Sequence, residues 1–140
     1  EVFILSLYSI VDDGALAVGN VLGKNKTIKT LQFRDLRNQR EIVTLMETTK
    51  QNCTVQEFSL RHCQICLRGA TSLGNMMENH KSIQELRLVD SQLDPKGIQP
   101  LRKGLENNPI LERLYLINNE LGDTGASDLG AMIAGNKSIK

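Results

Sequence analysis

Apolar residues recur along this 140-residue chain in a fixed phase, most legibly in the stretch Leu111-Glu112-Arg113-Leu114-Tyr115-Leu116-Ile117-Asn118-Asn119-Glu120-Leu121. Leu114 and Leu116 alternate, which turns both to one face of a short extended strand. Asn119 then turns the chain, where its amide can pair with backbone groups of a neighbouring coil, and Leu121 re-enters the core beyond it. The same phase is read at Leu86, Phe58, Leu31 and Leu5, at intervals of 28, 28, 27 and 26 residues. Each copy has an apolar partner two places on (Leu116, Leu88, Leu60, Phe33, Leu7) and another three places back (Leu111, Ile83, Val55, Ile28, Val2). A sixth copy begins at Ile139.

Between these strands lies a second pattern, of helical period. Gly14-Ala15 leads to Val18, Leu22 and Asn25; Glu41-Ile42 leads to Leu45, Thr49 and Asn52; Gly69-Ala70 leads to Leu73, Met77 and His80. Gly97-Ile98 leads to Leu101, Leu105 and Asn108, and Gly125-Ala126 to Leu129, Ile133 and Asn136. Apolar residues four apart give each helix one buried face. Small residues at its start permit close packing, and the closing Asn suits a helix end because it tolerates the left-handed conformation. Asp94-Pro95 reads as a cap and first helical residue. Pro100 would break a backbone bond in a helix begun there, so the fourth helix either starts near Gln99 or is kinked.

A strand and a helix repeated every 26 to 28 residues cannot bury their apolar faces singly, and stacked copies can. The predicted fold is α/β: a leucine-rich-repeat solenoid, a right-handed superhelix bent into a horseshoe arc, with a parallel inner sheet and outer helices. It resembles the ribonuclease-inhibitor type of repeat, shared by ribonuclease inhibitor, the Ran GTPase-activating protein, tropomodulin and NOD-like receptors. The resemblance covers essentially all of the chain. Departures sit at the turn slot: Asn119 fits, Cys63 and Ser91 are tolerated, and Leu36 and Ile10 are not polar. One domain over residues 1–140, cut from a longer protein, is expected.

Composition adds exclusions. With 17 basic and 16 acidic residues well mixed, no basic stripe offers itself to nucleic acid. No apolar run reaches the ~20 residues that span a bilayer, so no membrane insertion is expected. Three cysteines do not frame a disulfide scaffold, and a reducing, cytoplasmic setting is the expectation. Cys63-Gln-Ile-Cys66 has no second pair at zinc spacing, and both cysteines read as structural. The N-x-[ST] sequons at Asn25, Asn52 and Asn136 fall at one point of the repeat, which explains them without glycosylation.

Function is expected on the inner, concave face, where side chains leave the core. Arg34, Arg61 and Arg87 form a basic diagonal there. Val89, Tyr115 and Ile117 form an amphipathic cluster of the kind found at interface hot spots. Asp35, His62, Asp90 and Asn118 form a polar row at ~5 Å steps. His62 and Asp90 have no nucleophile or phosphate loop beside them, so neither a catalytic site nor a metal or cofactor is expected, and the row is assigned to binding. Phe3, Ile4 and Tyr8 leave a greasy, unpaired N-terminal edge through which the chain could self-associate as a homodimer.

The expected function is a protein-binding scaffold taking a protein or microbial ligand. The resemblance implies the sensing or regulatory domain of a NOD-like innate-immune receptor. The alternatives it implies are a GTPase-activating protein of the Ran-regulator type and a tropomodulin-like actin-capping module.

Overall fold

The computed structural model describes residues 1–6 and 12–140. Strands and helices alternate: β1 (Val2–Ser6), α1 (Asp12–Lys24), β2 (Thr30–Arg34), α2 (Gln39–Thr49), β3 (Glu57–Arg61), α3 (Leu67–Asn79), β4 (Glu85–Val89), α4 (Pro95–Glu106), β5 (Arg113–Ile117) and α5 (Gly122–Gly135). The strands form one parallel sheet in the order β1-β2-β3-β4-β5, and each helix packs on its neighbours in sequence. This is the leucine-rich-repeat solenoid that the periodicity predicts. Among the described residues no helix is long and apolar enough to cross a membrane.

The core is built from the two alternating strand positions and the predicted helix stripes. Leu31, Phe58 and Leu86 stand in register, as do Phe33, Leu60 and Leu88, and all six are buried. Phe33 and Phe58 meet edge to face with ring centres 5.9 Å apart. Ile42 and Leu45, Leu73 and Met77, and Ile98, Leu101 and Leu105 close the layer from the helix side.

Side chains at two turns tie each coil to the one before. At the helix-to-strand turn, Asn52 Nδ2 donates to Leu22 O (2.7 Å) and Asn25 O (3.0 Å), while its Oδ1 accepts from the N–H groups of Thr54 and Val55. Asn108 and Asn136 repeat the pattern two and three coils further on. The amides of Asn52, Asn108 and Asn136 are thus engaged on both their atoms. At the strand-to-helix turn, Asn119 Nδ2 reaches Leu88 O (2.9 Å), Ser91 Oγ reaches Leu60 O (3.2 Å) and Cys63 Sγ points to Phe33 O (3.9 Å). Leu36 fills the slot in its coil with apolar volume alone.

Several expectations need correction. Phe3, not Leu5, stands opposite Leu31, and Leu5 stands opposite Phe33. The first phase is therefore two residues early, Phe3 is half-buried against the core, and Val2 is exposed. Leu7, Tyr8 and Ile10 lie outside the described residues. In α5 the buried apolar residue is Met132, and Ile133 is exposed. The closing asparagines are not left-handed. That conformation belongs to the other turn, at Asp35, His62, Asp90, Gln92 and Asn118.

The fourth helix starts at Pro95, capped by Asp94 Oδ1 accepting from Gly97 N at 2.8 Å, and runs through Pro100. Its tight fit on α3 depends on two mid-helix glycines. A Cβ at Gly74 would sit 2.3 Å from Pro100 O, and one at Gly104 would sit 2.1 Å from Gly74 O. Gly104→Ala gains helix propensity of up to about 1 kcal/mol but forces two backbones apart, at about 1–3 kcal/mol. A net loss of stability in urea denaturation is expected.

His80 takes the asparagine place in the third coil, buried, with Nδ1 accepting from Ser82 N and Ile83 N at 3.4 Å each. Burial pulls its pKa from 6.5 down to about 4, so the folded protein holds the ring neutral. The unfolded chain binds the extra proton between those values, so the contribution is full above about pH 6.5 and is lost as pH falls toward 4. His80→Asn, which restores the amide found in the other coils, should flatten the melting-temperature profile between pH 7 and 5.

Candidate functional site

Alternation along each strand puts three residues of every coil on the open side of the sheet. Parallel register then sorts them into rows about 4.8 Å apart per step. One row is Thr30, Glu57, Glu85, Arg113; the next is Gln32, Ser59, Arg87, Tyr115; the third is Arg34, Arg61, Val89, Ile117. The left-handed residues Asp35, His62, Asp90 and Asn118 make a fourth row at the turn.

The C-terminal half of this face is organised around one carboxylate. Glu85 is buried, with its side chain only 6% exposed, and receives both Arg87 Nε and Arg113 Nε, the latter at 2.7 Å. Arg87 in turn lies over the Tyr115 ring, 4.3 Å from its centre, in cation–π geometry. Arg113 also approaches Glu112, which accepts from Lys140 Nζ at 3.0 Å. Burial alone would push the Glu85 carboxyl up. The hydrogen bonds from Arg87 and Arg113, with their charges, pull it below its ordinary value. Both guanidiniums are held more firmly protonated by Glu85.

The predicted site residues are placed as follows. Arg34 and Arg61 face one another in register, and neither has an ion pair among the described residues. Arg87 is one row away, engaged by Glu85 and Tyr115, so the basic diagonal is a pair plus a separate ion-paired arginine. Val89 is 7% exposed and does not present itself to a partner, since Arg61 and Ile117 flank it in its row. Ile117 is 44% exposed and Tyr115 half-buried, so two of the three cluster members remain available.

The polar row is real and has a local job. Asp35, His62, Asp90 and Asn118 all have φ between 51° and 61°, a conformation that Asn, Asp and His adopt more readily than most residues. Their side chains also link across coils: Ser6 Oγ donates to Asp35, and Asn118 Nδ2 donates to Asp90. His62 Nδ1 lies 3.8 Å from Asp90 Oδ2, with 62% of its side chain exposed. At the edge of the face, Ile4 is 53% exposed, while Phe3 turns inward and Tyr8 lies outside the described residues.

Of the cysteines, Cys63 is fully buried and its thiol is pushed up to about 11 by desolvation, the state of a structural rather than a reactive cysteine. Cys66 sits at the start of α3, exposed, and both are unpaired. Among the described residues no group of His, Cys, Asp and Glu is placed to hold a metal.

Sequence reasoning puts Glu85, Arg113 and Ser59 on the inner face but does not single them out as site residues. The signal was present for the first two. Glu85 and Arg87 are two apart on one strand, and Glu85 and Arg113 are opposite charges at one strand phase.

The leucine-rich repeat family profile matches residues 51–74 and 107–130, which hold β3 and β5 and the starts of the helices after them. Among solved structures, the chain is similar to the leiomodin-1 actin-binding site 2, with a TM-score of 0.76 and 18% identity. That match covers 94% of this chain and 77% of the other, and at this identity it establishes the fold. No curated protein sequence matches.

Glu85→Gln keeps the shape of the side chain and removes its charge. A cost of about 1 kcal/mol at pH 7 is expected, the small balance between two charged hydrogen bonds and the desolvation of the carboxylate. The wild-type advantage is present above pH 4.5 and disappears as pH falls through the lowered carboxyl value. Chemical denaturation at pH 7 and pH 3 should show the two proteins converging at acid pH.

Proposed function

We propose that this domain is a protein-recognition scaffold, a binding protein rather than an enzyme, that takes its partner across the strand face. The observation that carries the reading is the Glu85–Arg87–Arg113–Tyr115 group beside exposed Ile117. Arg and Tyr are the residues that dominate interface energetics, because each presents a large, rigid surface with directional polar atoms. Here Glu85 and the ring stack hold Arg87 in place before a partner arrives, which lowers the ordering entropy lost on binding. Ile117 supplies apolar area next to that anchor.

Actin is the partner to test first. A solved neighbour of the same fold, the leiomodin-1 site, is named for actin binding, one of the three roles implied by resemblance. A cytoplasmic location fits the actin reading.

The test has two parts. Co-sedimentation with filamentous actin and pyrene-actin elongation should show binding, and Arg87→Ala with Tyr115→Ala should weaken it by about 2 to 4 kcal/mol. Wild-type protein that leaves actin untouched would remove actin as the partner. A photo-crosslinking amino acid at Ile117 should capture protein from native lysate where one at Asn75, exposed on α3, does not. Capture from Asn75 alone would overturn the assignment of the strand face.

A further inference from the structure

A depression of about 180 Å³ opens on the strand face between β2, β3 and β4, with Ser59 and Arg61 at its floor and Gln32, Glu57, Glu85 and Arg87 around it. Two atoms of that floor are buried and have no hydrogen-bond partner: Ser59 Oγ and Arg61 Nε. Ser59 as a residue is only 6% exposed. The two residues are two apart on one strand, so both project from the same face. Elsewhere in the fold the turn amides of Asn52, Asn119 and Asn136 are engaged on both their atoms, and buried polar groups left unpaired are uncommon and destabilising. Two such orphans side by side in an open depression point to an atom supplied from outside.

Its chemistry follows from the donors. Arg61 Nε–H can only donate, and the Ser59 hydroxyl can donate to the same acceptor. The missing atom is therefore an oxygen acceptor. Charge decides which kind. The Glu85 carboxylate is already matched by Arg87 and Arg113. Arg61 stands in register with Arg34, and among the described residues no carboxylate pairs with either. Two guanidiniums in one row without a counter-ion favour an anionic oxygen, and a guanidinium fork is shaped for a carboxylate. Glu57 stands at the rim as a like charge, held by Thr30 Oγ1 at 3.1 Å, and opposes the ligand.

We infer that this depression is the subsite for an acidic side chain, an Asp or Glu of the protein partner, with its carboxylate accepting from Arg61 Nε–H and Ser59 Oγ–H. This rests on the reading of the strand face as a protein-recognition surface and names the partner chemistry that the face selects.

The arginine Nε–H groups can be followed directly by NMR in the isotope-labelled domain. Titration with acetyl-tetraglutamate amide should move the Arg61 Nε–H signal. Ser59→Ala should weaken that binding about tenfold, yet melt no lower than wild type, since it removes a hydroxyl that has no partner. Glu57→Gln should bind the peptide more tightly. A silent Arg61 signal would overturn the inference, as would an equal response to acetyl-tetralysine amide. An equal response to inorganic sulfate would also overturn it, because the site would then be a general anion site. A silent Arg61 signal with crosslinking through Ile117 intact removes the subsite and leaves the recognition surface. Loss of that crosslinking removes the surface itself.

Discussion

Turn carbonyls that take a side-chain donor from the next coil are what this structure depends on. Leu22 O and Asn25 O are met by Asn52, Met77 O by Asn108, and Leu105 O by Asn136. At the opposite turn, Leu60 O is met by Ser91 and Leu88 O by Asn119. A backbone carbonyl buried without a partner is costly, so a coil standing alone would carry that penalty at both ends of its strand. It would also expose the apolar row that the neighbouring strand now covers. Stability therefore lies in the interfaces between coils, as expected for an array whose units contact only their neighbours.

The recognition face inherits its order from the same coupling. Register is pinned on the buried side by Leu86 opposite Leu114 and Leu88 opposite Leu116, and this alone sets Glu85 opposite Arg113 and Arg87 opposite Tyr115 on the open side. The pleat transmits the constraint: a one-residue slip would drive the charged set into the core. The Glu85 network is therefore assembled by residues that never touch it. Its arginines are arranged in the free protein, which suits a surface that must present a fixed shape to a partner.

Much of this was legible in the sequence, because a repeat offers several independent readings of each position. The phase of β2 to β5 and the stripes of α1 to α4 follow from spacing alone. The phase of β1 did not, for a physical reason. Val2, Phe3, Ile4 and Leu5 are all apolar, so alternation cannot say which two face inward, and only pairing with Leu31 and Phe33 decides it. Met132 and Ile133, adjacent and both apolar, pose the same ambiguity in α5. The Gly74–Gly104 contact was hidden because a mid-helix glycine reads as a weakness until a second backbone is placed against it. The polar row was read as a binding feature. Its residue types are first a matter of the left-handed turn each one occupies.

The candidate site was legible as a face but not as a chemistry. Arg34, Arg61 and Arg87 look equivalent in sequence, each a basic residue on the open side of a strand. Structure divides them by what answers their charge. Arg87 is held by a buried carboxylate and an aromatic ring, so its energy is committed within the domain. Arg34 and Arg61 stand opposite one another in register with no carboxylate on either among the described residues, and Arg61 keeps a buried donor unused beside Ser59. The first arginine gives the surface its shape, and the second pair leaves it an unmet demand for negative charge. A partner suited to this face must meet both, with an apolar contact beside Tyr115 and Ile117 and a carboxylate two strands away. Two coils are ~10 Å across the sheet, a separation that a single folded epitope or a short extended segment spans.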